Sequence, residues 1–241
     1  MNKWLWTLIV FSVLGITLVG IFYNLNYKPE EIVKNYLISN EKVNVLVENN
    51  FVLFNPINKN DIDIIFYPGG FVYPEAYSPL CFKIAENGYR VFLVKMPLNL
   101  AVLKPNAAKE IIDKFSLKKV VIIGHSLGGA MAAKFVYNNP ETISGLVLLA
   151  AYPGKSNNIS KYNIKVLSIF AEFDGLATTE KIENHKYLLP DNTKYVIIKG
   201  GNHSNFGYYG FQKGDNLSTI SKEEQQKIIL QNILEFLKNL E

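Results

Sequence analysis

Cysteine is nearly absent: Cys81 stands alone among 241 residues. A single thiol excludes an intramolecular disulfide and any zinc site built from cysteines. Histidine is scarce too, limited to His125, His185 and His203, so a histidine-rich metal centre is not expected and neither is any cofactor. Charge is thin, at 19% of residues, and no sign dominates: 25 basic side chains are scattered among 21 acidic ones, for a net charge of +4. No lysine/arginine block stands out, and a nucleic-acid partner is not expected. Internal repeats and low-complexity stretches are missing as well. With 49% hydrophobic residues the bulk of the chain reads as folded and globular, not disordered.

Charge is missing most completely from Trp4 to Tyr23, a run preceded by Lys3 and closed by Lys28-Pro29-Glu30. Such a run, if helical, spans about 30 Å, one hydrocarbon core. Trp4 and Trp6 at one end and Phe22, Tyr23 and Tyr27 at the other suit the two membrane interfaces. A cleaved signal peptide needs a shorter apolar region and a small-x-small site, and Val19-Gly20-Ile21-Phe22-Tyr23 offers a poor one. The pattern therefore predicts a retained membrane anchor, with secretion after cleavage as the alternative. Lys3 and the α-amino group favour an N-in orientation, which puts the rest of the chain outside the cytoplasm. The expected organisation is an anchor or signal segment at 1–28, a linker at 29–42 and one α/β domain at 43–241. The linker carries a short amphipathic helix marked by Ile32, Val33, Tyr36 and Leu37. No pattern in the chain specifies an oligomer.

Beyond residue 42, apolar strand-like runs alternate with helical ones. Strands are predicted at 43–48, 51–54, 62–67, 89–95, 120–124, 143–150, 165–171 and 195–199. Helices are predicted at 78–86, 106–115, 127–137 and 178–187, and a last one follows the capping box Ser221-Lys-Glu-Glu224. The central strands are continuously apolar, the signature of a mostly parallel sheet covered by helices on both faces. The gap between residues 150 and 165 is too short for a large cap inserted between those strands. The longest irregular stretch, 204–220, is rich in glycine and aromatics, and loops of that kind are more often functional than decorative.

One junction organises the rest. Val120-Val-Ile-Ile-Gly124 reads as a buried strand and Leu127 onward as a helix of small residues, with Gly124-His125-Ser126-Leu127-Gly128 between them. This G-x-S-x-G stretch fits a nucleophile elbow, in which the central serine is forced out of the sheet and glycines let strand and helix approach. Ser126 would then sit at a helix N-terminus, where the Leu127 N–H and the helix dipole favour developing negative charge. A serine nucleophile needs a base and an orienting carboxylate. His203 follows the last strand in Gly200-Gly-Asn-His203, and Asp174 follows the strand before it, so the order Ser126, Asp174, His203 is the one this elbow requires. Glu172 is the rival acid. His125 is expected to point into packing, His185 to be a solvated helix residue, and Asp191 to shape a turn. The second oxyanion donor is expected from Pro68-Gly69-Gly70-Phe71, with the Phe71 N–H first and Gly70 as alternative. The substrate pocket is expected from Gly70, Phe71, Tyr73, Tyr77, Met96, Leu98, Tyr152, Phe206 and Tyr208, which points to a hydrophobic acyl or aryl group.

With these parts in order, the chain from about residue 43 to 240 resembles an α/β-hydrolase. It is most similar to the compact bacterial group called alpha/beta hydrolase family 5. Three stretches carry the closer likeness: Tyr67-Pro-Gly-Gly-Phe-Val-Tyr-Pro-Glu-Ala-Tyr77, Val94-Lys-Met-Pro-Leu-Asn-Leu-Ala101 and Gly200-Gly-Asn-His-Ser-Asn-Phe-Gly-Tyr-Tyr-Gly-Phe-Gln212. The resemblance implies ester or related acyl hydrolysis of a small molecule. It implies Ser126 as nucleophile, Asp174 as acid, His203 as base, and Leu127 with Phe71 as oxyanion donors. Relatives with cysteine or aspartate at the elbow do dienelactone, dehalogenase or epoxide chemistry, which Ser126 disfavours. Acyl transfer on the same triad, or a non-catalytic binding role for the scaffold, are the alternative readings.

Overall fold

The computed structural model describes residues 3–241, without the side chains of residues 3, 14–19 and 21–24. A first helix, α1, runs Lys3–Leu25. The domain follows with β1 (Val43–Val47), β2 (Phe51–Pro56), β3 (Asp63–Tyr67), α2 (Ser78–Glu86), β4 (Arg90–Val94) and α3 (Ala107–Phe115). Its second half is β5 (Val120–His125), α4 (Leu127–Asn138), β6 (Gly145–Leu149), β7 (Lys165–Ala171), α5 (Thr179–Glu183), β8 (Lys194–Ile198) and α6 (Lys222–Lys238). The strands form one eight-stranded sheet in the order β1-β2-β4-β3-β5-β6-β7-β8. Only the β1/β2 and β2/β4 pairs are antiparallel. The other five pairs, from β4/β3 to β7/β8, are parallel.

The alternation of side chains along a strand explains the two cores. On β5, Val121 and Ile123 face the cluster that includes Ile229, Ile233, Phe236 and Leu237 of α6. Val120 and Ile122 face the opposite cluster, with Ile111 and Ile112 of α3 and Ala132, Phe135 and Val136 of α4. Neighbouring residues point to opposite faces and both faces are covered, so the strand is apolar throughout. Ser221 caps α6 by accepting the Glu224 N–H at 3.0 Å. Each buried apolar α6 side chain contributes about 1.5–3 kcal/mol, which fixes the helix against the sheet.

Two expectations change. The 178–187 helix stops at Glu183, and Lys186–Leu188 forms a separate 3₁₀ turn. Within 29–42 the expected amphipathic helix is only a short 3₁₀ turn, and it packs against the domain. A 3₁₀ turn, Glu31–Tyr36, buries Val33, packs the Tyr36 ring edge-on to Phe82 at 5.7 Å, and is preceded by Glu30 donating its N–H to the Tyr208 carbonyl. Long-range packing, not local periodicity, sets its conformation. Among the described residues no helix is long and apolar enough to cross a membrane. The expected anchor falls in part on side chains outside the described residues, and the stretch 4–13 is solvent-exposed.

Candidate active site

The β5–α4 junction forces Ser126 to φ 51° and ψ −122°, a region that non-glycine residues avoid. The surrounding backbone holds it there. The Ser126 N–H donates to the Leu149 carbonyl at 2.9 Å and its carbonyl accepts the Ala130 N–H at 3.1 Å. Glycines permit the approach: a Cβ on Gly124 would lie 2.6 Å from the Gly128 carbonyl oxygen and from Gly129 Cα. Gly129, which the sequence pattern did not single out, has a Cβ position 2.4 Å from Ala151 Cβ. Leu127 is the first residue of α4, so its N–H has no intrahelical acceptor.

Asp174 and His203 lie beyond the ends of β7 and β8, adjacent strands. His203 Nδ1 and Asp174 Oδ2 are 2.7 Å apart, both side chains fully buried. The other carboxylate oxygen accepts the Leu176 N–H at 2.8 Å and the Ala177 N–H at 2.6 Å. Asp174 is therefore locked in orientation, and Nδ1 of His203 is committed to it. Among the described residues the buried Nε2 has no hydrogen-bond partner, so Ser126 Oγ does not yet bond it. Such bonds in unliganded sites are commonly long and tighten when substrate binds. The rival Glu172 faces elsewhere, accepting from the Gly200 N–H at 2.9 Å and Lys199 Nζ at 3.2 Å. The Gly200 bond, then Lys199, holds its carboxyl below the usual range.

His125 is more than packing. Its Nδ1 shares a 2.8 Å hydrogen bond with Tyr77 Oη, which also accepts the Gly69 N–H at 3.1 Å. Its ring stacks on Phe206 at 5.4 Å and lies 4.6 Å from the His203 ring, centre to centre. Burial, and secondarily His203, hold the His125 imidazole well below its ordinary pKa, so it stays neutral. His185 is likewise not a free surface residue: it stacks on Tyr152 at 4.2 Å and bonds the Lys181 carbonyl through Nδ1 at 2.7 Å.

In the 68–73 loop, expected to supply the second oxyanion donor, the Phe71 N–H is already engaged. Phe71 has φ 58°, and its N–H donates to the Asn99 carbonyl at 2.9 Å. That bond directs the Phe71 N–H to another acceptor. Gly70 packs directly on Leu127, whose Cδ2 would lie 2.8 Å from a Cβ at Gly70.

The cleft at Ser126 has a volume of about 270 Å³ and is lined by Ser126, Leu127, Ala130, Ala150, Ala151, Tyr152, Leu176 and Ala177. Of the aromatic and apolar lining expected from sequence, Tyr152 alone borders it. Tyr77, Met96 and Phe206 are buried in the interior, Leu98 is 59% exposed, and Tyr208 lines a separate groove with Tyr36 and Leu80. Tyr73 is tied to the N-terminal segment through its N–H, which donates to the Tyr27 carbonyl at 3.1 Å. The physical reason is the 204–220 loop. It turns inward, drives Phe206 against His125, and leaves the cleft to be walled by the small residues after β6 and β7.

Asp215, in that loop, was not singled out by sequence. Its carboxylate accepts the N–H groups of Gly175 at 3.1 Å, His203 at 3.2 Å and Ser204 at 2.7 Å, and the Ser204 hydroxyl at 2.6 Å. It thereby staples the loop bearing Asp174 to the loop bearing His203. The readable signal was a Gly-Asp pair, since aspartate favours side-chain bonds to nearby backbone N–H groups. Gln225, fully buried on α6, does the same for Asn202 with a 3.0 Å and a 2.8 Å bond.

A parallel-rich sheet in this order, with a strained serine between its fifth strand and the next helix, defines the α/β-hydrolase class. Residues 63–227 match the alpha/beta hydrolase family in its family 5 group, and the chain belongs to that family. Solved structures share the fold. Carboxylesterase CesB (YbfK) from Bacillus subtilis superposes with a TM-score of 0.60 at 12% identity, covering 90% of this chain and 96% of that one. MGS-MChE2, an alpha/beta hydrolase from a lagoon-sediment metagenome, gives 0.58 at 19% identity, covering 81% and 98%. Among curated proteins the likeness is local. The Bacillus subtilis (strain 168) protein named "Putative 2-succinyl-6-hydroxy-2,4-cyclohexadiene-1-carboxylate synthase" is 47% identical over 45 residues, 19% of this chain and 16% of that protein.

Proposed function

We propose that this chain is a serine hydrolase that cleaves an ester or related acyl bond of a small molecule through an acyl-enzyme. The reading is supported by the strained Ser126 at the β5–α4 turn together with a buried, hydrogen-bonded His203–Asp174 pair beyond the ends of β7 and β8. His203 Nε2 takes the Ser126 Oγ proton while Oγ bonds to the substrate carbonyl carbon. The carbonyl oxygen, now an oxyanion, faces the Leu127 N–H and an N–H of the 68–73 loop. As the tetrahedral intermediate collapses, the bond to the leaving oxygen breaks and His203 returns the proton to it. Water, deprotonated by the same nitrogen, then releases the acid and restores Ser126. The cleft's volume of about 270 Å³ favours short acyl groups.

The test uses p-nitrophenyl esters of increasing chain length, with labelling by a fluorophosphonate. Turnover and labelling are expected for the full chain and not for Ser126→Ala, and acetate or butyrate should outpace dodecanoate by about tenfold or more. Equal behaviour of the two proteins would sink the reading.

The uncharged run from Trp4 to Tyr23 supports a second element of the proposal, retention at a membrane with the domain on its outer face. Intact mass of the protein recovered from membranes tests it. A mature form starting between residues 21 and 28 rules out the anchor.

A further inference from the structure

We propose that Asn26 and Tyr27, which connect α1 to the domain, are positioning residues of the site. The inference rests on the serine-hydrolase reading for its effect on rate, but its structural half stands without it. Tyr27 forms a parallel β-bridge with Val72. The Tyr27 N–H donates to the Phe71 carbonyl at 2.7 Å, and the Tyr27 carbonyl accepts the Tyr73 N–H at 3.1 Å. On the other side of the same turn, Asn99 accepts the Phe71 N–H and extends its side-chain amide to Asn26 Oδ1 at 2.8 Å. Phe71 therefore has both its peptide groups gripped, one by Tyr27 and one by a residue that Asn26 holds. That grip matters because Phe71, Leu98 and Asn99 all have positive φ, at 58°, 52° and 52°. Left-handed conformations of such residues persist only where neighbours over-determine them.

The same tyrosine reaches the base. Its Oη accepts the Lys213 N–H at 3.1 Å, two residues before the Asp215 carboxylate that staples His203 to Gly175. Its ring lies 5.8 Å from Tyr209, whose hydroxyl donates to the His203 carbonyl at 3.3 Å. Tyr27 thus sits between the loop expected to supply an oxyanion donor and the loop that carries His203. Both must keep their relative position to within a fraction of an ångström for the serine to react. A chain cut after Tyr27 loses these loop contacts, whereas a cut before Asn26 keeps them.

The experiment compares full-length wild type with Tyr27→Ala, Tyr27→Phe and Asn26→Ala. Steady-state kinetics on p-nitrophenyl acetate are paired with hydrogen exchange of backbone amides. Tyr27→Ala is expected to lower kcat by about tenfold or more with KM within about twofold, because placement is lost and not binding. Tyr27→Phe keeps the ring against Tyr209, loses only the Oη bond to the Lys213 N–H, and should recover most of that rate. Exchange should speed up across 204–215 in Tyr27→Ala, which loses the ring and the Oη bond, and across 68–73 in Asn26→Ala, which loses the hold on Asn99, while the β5 and α6 amides stay protected. Unchanged exchange in those two loops overturns the inference whatever the activity. Faster exchange with wild-type kcat overturns its catalytic half. If wild type shows no Ser126-dependent turnover, the hydrolase reading falls, and the exchange result alone decides the structural half.

Discussion

Asp174→Asn should leave the protein folded and reduce ester turnover by about four orders of magnitude, the loss expected when a triad histidine is left in the wrong tautomer. The reason lies in the surroundings of the carboxylate. Asp174 Oδ1 is enclosed by the N–H groups of Leu176 and Ala177, at 2.8 and 2.6 Å. An asparagine must put its carbonyl oxygen there, because turning its amide to those donors would set N–H against N–H. The NH₂ is then forced to face His203 Nδ1, which becomes an acceptor. The ring proton moves to Nε2, the nitrogen that receives the Ser126 proton in the proposed reaction. Volume is conserved and the backbone donors keep their acceptor, so the melting temperature should shift by only a few degrees. Kinetics on p-nitrophenyl acetate and a thermal melt measure both quantities. A loss under about tenfold would mean that Nε2 of His203 is not the base.

The sheet could be read from the sequence because its strands are buried on both faces and so carry unbroken apolar runs. β7 was predicted with the bounds it has, and α2 likewise. The nearness of Asp174 to His203 was readable for a topological reason: each follows one of two strands that become neighbours in a parallel sheet. Features that depend on the aim of a single bond were not readable. The chain order locates the 68–73 loop, but the positive φ of Phe71 turns its N–H toward Asn99, and no composition signals that rotation. Asp215 and Tyr27 act across loops, 12 residues from the His203 N–H and 186 from the Lys213 N–H, distances at which periodicity carries no trace. The cleft lining differs from the expected one for a related reason. Aromatics near a site look alike in sequence whether they line it or, like Tyr77 and Phe206, lock the residues behind it.

Gly128→Ala should cost more stability than any other single methyl added near the site. A Cβ there would lie 2.2 Å from the Pro68 carbonyl oxygen, 2.4 Å from that of Tyr67 and 2.8 Å from the Tyr67 carbonyl carbon. All three are main-chain atoms where β3 ends and the 68–73 loop begins. They cannot rotate away as a side-chain tip would, and Tyr67 is paired with Gly124 of β5, at the elbow itself. Relief requires moving α4 off the sheet, which also pulls Ser126 and Leu127 away from the loop that faces them. Overpacking of this kind costs about 3 kcal/mol, a fall of roughly 6–12 °C in the melting temperature of a chain this size. Gly154→Ala is the control, since its new Cβ would meet nothing closer than Asn157 Nδ2 at 3.4 Å, and its melting temperature should stay within about 2 °C of wild type. Differential scanning calorimetry of the two variants decides the matter. If Gly128→Ala melts like Gly154→Ala and keeps full esterase activity, the close contact between the elbow and the end of β3 is not what holds Ser126 in place.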